Sequence, residues 1–129
     1  MDFRFSPKEE AFRQTVRAFV DKEMNSQITE EYEAGLYNGK YTWEFIRKLG
    51  KKRWLVSSWP EKYGGLGLHF TYTYILREEI TRKQELGPLY GAYTAGPAIL
   101  LYGNEEQKNV YLKSPLSLEM KVLQLFKKI

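Results

Sequence analysis

The one histidine, His69, directly follows the run Gly64-Gly65-Leu66-Gly67-Leu68. Glycine-rich turns can bring backbone amides up to a phosphate. This run lacks the third glycine of G-x-G-x-x-G, because Phe70 stands there, and it has no Gly-Lys-Ser/Thr. A tight turn into the next element is the better account. With no cysteine and no second histidine in the chain, His69 is a poor metal ligand and reads as a surface or capping residue. The missing cysteines exclude disulfides, and a single histidine leaves no His-rich metal cluster and is read as leaving no conventional catalytic triad. Glu78-Glu79 is an adjacent carboxylate pair. On a helix such neighbours point about 100° apart and do not share a proton, so they read as i,i+4 partners of Arg82 and Lys83 on the wet side. Arg47, Lys48, Lys51, Lys52 and Arg53, flanked by Trp43 and Trp54, have the make-up of a single-strand nucleic-acid groove. Against this, 20 basic and 16 acidic residues leave a net charge of only +4, and the tryptophans read as core anchors. Finally, Tyr90, Tyr93, Thr94 and Tyr102 gather around the small residues Gly91, Ala92, Ala95 and Gly96, where a groove for an apolar ligand can open between helices. No residue set forms a self-sufficient catalytic, cofactor or metal centre.

The elements that position these groups are helical. Ser6-Pro7-Lys8-Glu9 is a capping box with proline in the first turn. The stripe Phe12, Val16, Phe19, Val20 and Met24 carries a helix from about Pro7 to Met24, with Glu9 and Arg13 as a surface pair worth about 0.3 kcal/mol. Residues 25–41 have a loop composition, and Glu30, Glu31 and Glu33 read as a solvated face. Thr42 is the expected N-cap of a short helix with Trp43, Ile46 and Leu49, ending near Lys52. Residues 53–68 read as a long loop pinned by Trp54, Leu55 and Trp59. A third helix is expected over Phe70–Lys83, with Tyr72, Ile75, Leu76 and Ile80 inward. A fourth runs from Leu89 to Tyr102, kinked or broken before Gly96-Pro97. Gly103 and the capping box Asn104-Glu105-Glu106-Gln107 turn it into a fifth helix reaching Leu112. From Pro115 the chain alternates like a strand, yet Leu118, Val122, Leu125 and Ile129 also fit a helical stripe capped by Ser117. Propensity, and the unpaired edges of a lone strand, favour helix.

At 129 residues one domain with a tail is expected, and the 43% hydrophobic and 16% aromatic content argues against disorder. The expected fold class is all-α, a compact bundle of about five or six helices. No run reaches about 18 apolar residues, so no membrane span is expected. The first residues are unlike a secretory signal, which makes the cytoplasm the expected location.

Several strings in order resemble the N-terminal helical domain of acyl-CoA dehydrogenases. These are Asp2-Phe3-Arg4-Phe5-Ser6-Pro7, Phe12-Arg13-Gln14 to Phe19, Trp59-Pro60-Glu61-Lys62-Tyr63-Gly64-Gly65-Leu66-Gly67-Leu68, Gly96-Pro97-Ala98-Ile99-Leu100-Leu101-Tyr102-Gly103 and Asn104-Glu105-Glu106-Gln107-Lys108 with Tyr111-Leu112. The resemblance implies residues 1–115 as that domain and 116–129 as a tail where a β domain would begin. Family members add the β domain and a C-terminal four-helix bundle, with FAD between those two parts. A carboxylate base outside the segment seen here takes the α-proton of an acyl-CoA thioester, and the β-hydride passes to the flavin. No catalytic or cofactor-binding residue therefore carries over, and no cofactor is expected in these residues alone.

By the same resemblance, Leu89, Tyr90, Tyr93 and Thr94 are acyl-pocket-lining candidates. The family's Ser/Thr-Glu-Pro and Gly-Ser-Asp strings would follow Leu125-Phe126, where Lys127-Lys128-Ile129 stand instead. Lys113 replaces a usual proline, Ser117-Leu118-Glu119 a Ser/Lys-Gly-Glu string, and Arg53 a glycine before tryptophan. The implied protein is a truncated homologue, inactive alone, self-associating through an apolar face left by missing domains. The alternatives are a helical subunit completed by a flavin-bearing partner chain, or a nucleic-acid binder.

Overall fold

Ser6 starts the first helix as its local sequence requires. Its hydroxyl accepts the Glu9 amide at 3.2 Å, and the Glu9 carboxylate accepts the Ser6 amide at 2.8 Å. The computed structural model describes residues 4–36, 39–84, 86, 89 and 91–127. Seven α-helices and no strand occur among them: α1 (Pro7–Glu23), α2 (Ser26–Glu33), α3 (Lys40–Lys51), α4 (Phe70–Lys83), α5 (Gly96–Tyr102), α6 (Glu105–Tyr111) and α7 (Pro115–Lys127). A 3-10 turn spans Glu61–Tyr63 and a π-helical segment Gly91–Ala95. The all-α expectation holds, with α2 added to the helices foreseen. None of these helices is long and apolar enough to cross a membrane.

Two compact units divide the chain: residues 1–45 with 69–87, and residues 46–68 with 88–129. In the first, α1 packs on α4. Val16, Val20, Met24, Ile28, Phe45, Ile75, Leu76 and Ile80 are buried. Phe12 meets Tyr72 edge-on at 5.0 Å between centroids, and Phe19 meets Phe45 at 5.8 Å. In the second unit, Ile46, Leu49, Leu55, Val56, Trp59, Tyr63, Leu89, Ala92, Leu112 and Leu118 form the core.

Several local expectations need correction. Residues 25–41 are not all loop: Asn25 accepts the Gln27 amide at 3.0 Å and opens α2, which needs only Ile28 as its buried anchor. Glu31 is not part of a solvated face. Its carboxylate accepts the Tyr41 amide at 2.8 Å, the Thr42 amide at 2.9 Å and the Thr42 hydroxyl at 2.7 Å. Glu31 thus caps α3 in place of Thr42, which lies inside the first turn and is buried. Gly39 permits this, because a Cβ there would lie 2.3 Å from the Glu31 carboxyl carbon.

The surface pair Glu9–Arg13 does not form. Glu9 is held by its capping box, and Arg13 turns to Glu10, with Nε donating at 2.9 Å. Glu79 does not pair with Lys83 on a wet face. It lies three and four positions from Leu76 and Ile75, so it faces α1 and is 2% exposed. Lys83 reaches Asp21 instead, at 3.9 Å.

The tail resolves as helix. Its cap is Ser114 rather than Ser117, with the Ser114 hydroxyl accepting the Ser117 amide at 3.3 Å and Pro115 in the first turn. Leu118 and Glu119 face inward, whereas Leu125 is exposed.

Candidate functional site

Tyrosines and small residues at 89–102 make the strongest candidate surface, and the backbone there is unusual. Pro97 has no amide, and its ring would clash with the carbonyl four residues earlier in a regular helix. The chain answers with a wider turn. Gly91–Ala95 is π-helical and continues into α5, with Pro97 in the first turn. The expected kink or break is therefore a π turn with no interruption of helical backbone; such turns recur at functional sites.

Two tertiary contacts fix it. Trp59 lies on Gly96, so closely that a Cβ there would be 2.1 Å from Cζ2 of the indole. The backbone of α7 lies on Gly91, where a Cβ would be 2.7 Å from the Cα of Glu119. Glu119 itself is fully buried, and its Oε2 accepts the Ala92 amide at 3.0 Å. Sequence reasoning did not find Glu119 as a structural group. The signal was present as two glycines five apart, Gly91 and Gly96, ahead of a proline.

The candidate lining residues fall as follows. Leu89 is buried, and its carbonyl accepts the Tyr93 amide at 2.9 Å. Tyr93 is half-buried and Thr94 exposed. Tyr90 lies outside the described residues. Leu89 and Tyr93 are thus stacked one turn apart, with Thr94 beside them facing out. Further along, α5 and α6 pack together and leave Leu101, Tyr102, Val110 and Tyr111 exposed, Tyr102 by 87%.

The glycine-rich run is a turn. The amides of Gly64, Gly65, Leu66, Gly67 and Leu68 donate to the carbonyls of Glu61, Pro60, Ser57, Trp59 and Ser57 at 2.9–3.2 Å. Every amide that could cradle a dinucleotide pyrophosphate is committed to the protein's own backbone, so this loop does not fit an FAD phosphate site. His69 caps α4, with Nδ1 accepting the Thr71 amide at 3.3 Å.

Glu79 sits among three guanidinium groups. Arg17 donates to both of its oxygens at 2.9 Å, Arg82 at 3.0 Å and Arg13 at 3.2 Å. Burial raises the Glu79 pKa, but the hydrogen bonds from Arg17, Arg82 and Arg13 outweigh it and bring the pKa to about 2. The carboxylate is a locked structural anion with no proton to exchange near neutrality.

An all-helical chain with this order of caps, turn and π segment has known counterparts. The family described as acyl-CoA dehydrogenase, N-terminal domain, matches residues 6–119. The chain belongs to the acyl-CoA dehydrogenase family. Acyl-CoA dehydrogenase FadE26 of Mycobacterium tuberculosis is 28% identical over 115 residues, covering 87% of this chain and 29% of that protein. The solved structure of the Tcur3481-Tcur3483 steroid ACAD superposes with a TM-score of 0.75 at 30% identity, covering 92% of this chain and 31% of that one. The ChsE4-ChsE5 complex from Mycobacterium tuberculosis gives 0.74 at 26%, covering 92% and 30%. The chain thus spans less than a third of the length of each of these.

Proposed function

We propose that this chain supplies the N-terminal helical domain of an FAD-dependent acyl-CoA dehydrogenase and does no redox chemistry by itself. Dehydrogenation of an acyl-CoA thioester then needs the flavin-bearing β domain and the C-terminal bundle in addition to these residues. The helical domain contributes one wall of the acyl-chain cavity, with Leu89, Tyr90, Tyr93 and Thr94 as its lining. In this reading residues 1–115 form the working domain and 116–129 the junction.

The observation that carries the proposal is the apolar surface of α5 and α6. Leu101, Tyr102, Val110 and Tyr111, on two helices that pack together, are exposed by 42–87%, and exposed apolar side chains grouped in this way suit an interaction surface. Such a face is suited to being covered by flavin-bearing structure, and it lies next in sequence to Tyr93 and Thr94. A partner chain is favoured over self-association because both solved counterparts carry paired names, Tcur3481-Tcur3483 and ChsE4-ChsE5.

The test begins with the purified 129-residue chain, assayed with butyryl-CoA and a ferrocenium acceptor and inspected for the yellow absorbance of oxidised flavin. Neither turnover nor colour is expected. The tagged chain is then used to capture a flavin-bearing protein from its native extract. Turnover is expected in the captured material and is lost with Leu101→Asp or Tyr102→Asp. Stoichiometric flavin on the isolated chain, or captured turnover indifferent to both substitutions, refutes the proposal.

A further inference from the structure

A cleft of about 190 Å³ lies in the second unit. Two glycines shape it. A Cβ at Gly50 would lie 3.0 Å from Leu116, and one at Gly64 would lie 3.2 Å from Pro115. The first turn of α7 therefore sits close against both walls without filling the space between them. The inner surface includes the buried apolar side chains Leu55 and Val56, and the remaining charged lining residues are Arg53 and Lys113. No carboxylate is among the lining residues. Among the described residues neither Arg53 nor Lys113 has an ion-pair partner.

Arg53 is held at φ 61°, the one positive φ of a non-glycine residue among the described residues. Its amide makes an ordinary turn bond to the Gly50 carbonyl at 3.0 Å. Glycine would form the same turn without the steric cost that a Cβ meets there. The Trp54 amide donates in turn to the Leu49 carbonyl at 3.0 Å, so Arg53 is the left-handed residue of the α3 C-terminal cap. Arg53 and Lys113 are both exposed, and the backbone at Lys113 is fixed from both sides. Leu112 before it is fully buried, and Ser114 after it caps α7.

We propose that Arg53 and Lys113 form an anion-binding site in this cleft that takes a phosphate monoester. Two cations beside an apolar wall, with no carboxylate in the lining, favour a dianion by charge attraction. The planar fork of Arg53 suits two oxygens of one phosphate, with Lys113 as a point charge on the third. The Ser114 hydroxyl lines the same cleft and adds a donor. The site stands independently of the proposed dehydrogenase role.

The test is calorimetric titration of the 129-residue chain with inorganic phosphate at constant ionic strength in sodium chloride, alongside thermal melting of each variant. Saturable phosphate binding is expected, weakened about tenfold or more by Arg53→Gly and by Lys113→Gln, the size of a lost charge-assisted hydrogen bond. Arg53→Gly should melt no lower than the parent, because glycine suits the left-handed cap position, so its lost binding is not lost folding. Coenzyme A and its analogue lacking the 3′-phosphate distinguish the sources. A tenfold preference for the phosphorylated form supports a nucleotide-borne phosphate, and equal weak binding of the two beside tight inorganic phosphate supports the free ion. Absent saturation, or phosphate binding unchanged by both substitutions, overturns the site.

Discussion

Replacing Glu79 by glutamine tests the electrostatic core of the first unit. The side chain keeps its size, but Arg13, Arg17 and Arg82 lose the charge they converge on. Arg13 retains Glu10 and Arg82 retains Asp21, whereas Arg17 gives two hydrogen bonds to Glu79. The carboxyl pKa falls from 4.5 to about 2 in the fold, equivalent to about 3 kcal/mol favouring the ionised form. The arginines are 20–38% exposed, so water screens part of this. A loss of about 2 kcal/mol is therefore expected at pH 7, or about 5–8 °C in Tm for a chain of this size.

The pH dependence gives the sharper assay. Because the folded pKa is depressed, the stabilisation is complete above the unfolded value of 4.5 and is lost as pH falls toward 2. Urea denaturation of parent and Glu79→Gln at pH 7, 5, 4 and 3 should give a difference that is constant down to about pH 5 and then shrinks steadily. Glu10, whose pKa is likewise lowered to about 2 by Arg13 and Gln14, titrates in both proteins and largely cancels. A stability difference that stays flat from pH 7 to pH 3, or that is under about 0.5 kcal/mol at pH 7, refutes the charge argument and leaves Glu79 as a packing residue.

The other predictions concern close approach and capping. Gly96→Ala places a methyl group 2.1 Å from Trp59 and should cost about 2–3 kcal/mol by overpacking, with a shift in tryptophan fluorescence that reports the displaced indole. Glu31→Ala removes the acceptor for the Tyr41 and Thr42 amides and should cost about 1–2 kcal/mol. Hydrogen exchange should quicken at those two amides first. In contrast, Asn104→Ala, at an exposed cap, should cost about 1 kcal/mol by denaturant titration.

The caps at Ser6 and Asn104 were legible because donor and acceptor lie three residues apart in the chain. The bounds of α4 were legible for a similar reason, since Ile75, Leu76 and Ile80 recur at helical spacing. What escaped is what depends on distant partners. Glu79 looks like a surface residue until Arg13 and Arg17, 66 and 62 positions away, are brought to it. Helix α2 was hidden because one anchor, Ile28, leaves no periodicity to count. In the candidate site, Pro97 announced an irregular backbone. Its form as a π turn is set by Trp59 and Glu119, which no local reading supplies. The tail was ambiguous because alternating Leu, Met and Val satisfy both periods, and Ser114 with Pro115 decides it by opening a helix.

The departures from ordinary helical geometry concentrate in one unit. The first unit is conventional: capped helices, an aromatic contact, and a carboxylate satisfied by arginines. The second holds the left-handed arginine, the π turn and a fully buried Glu119 bonded to the Ala92 amide. Each of these costs stability on its own, and each borders either the 89–102 surface or the cleft beside Arg53 and Lys113. Local rules broken within one unit, with compensating contacts built around them, mark the part of a fold shaped by something other than its own stability. On the proposed reading, ligand and partner contacts are expected in the second unit.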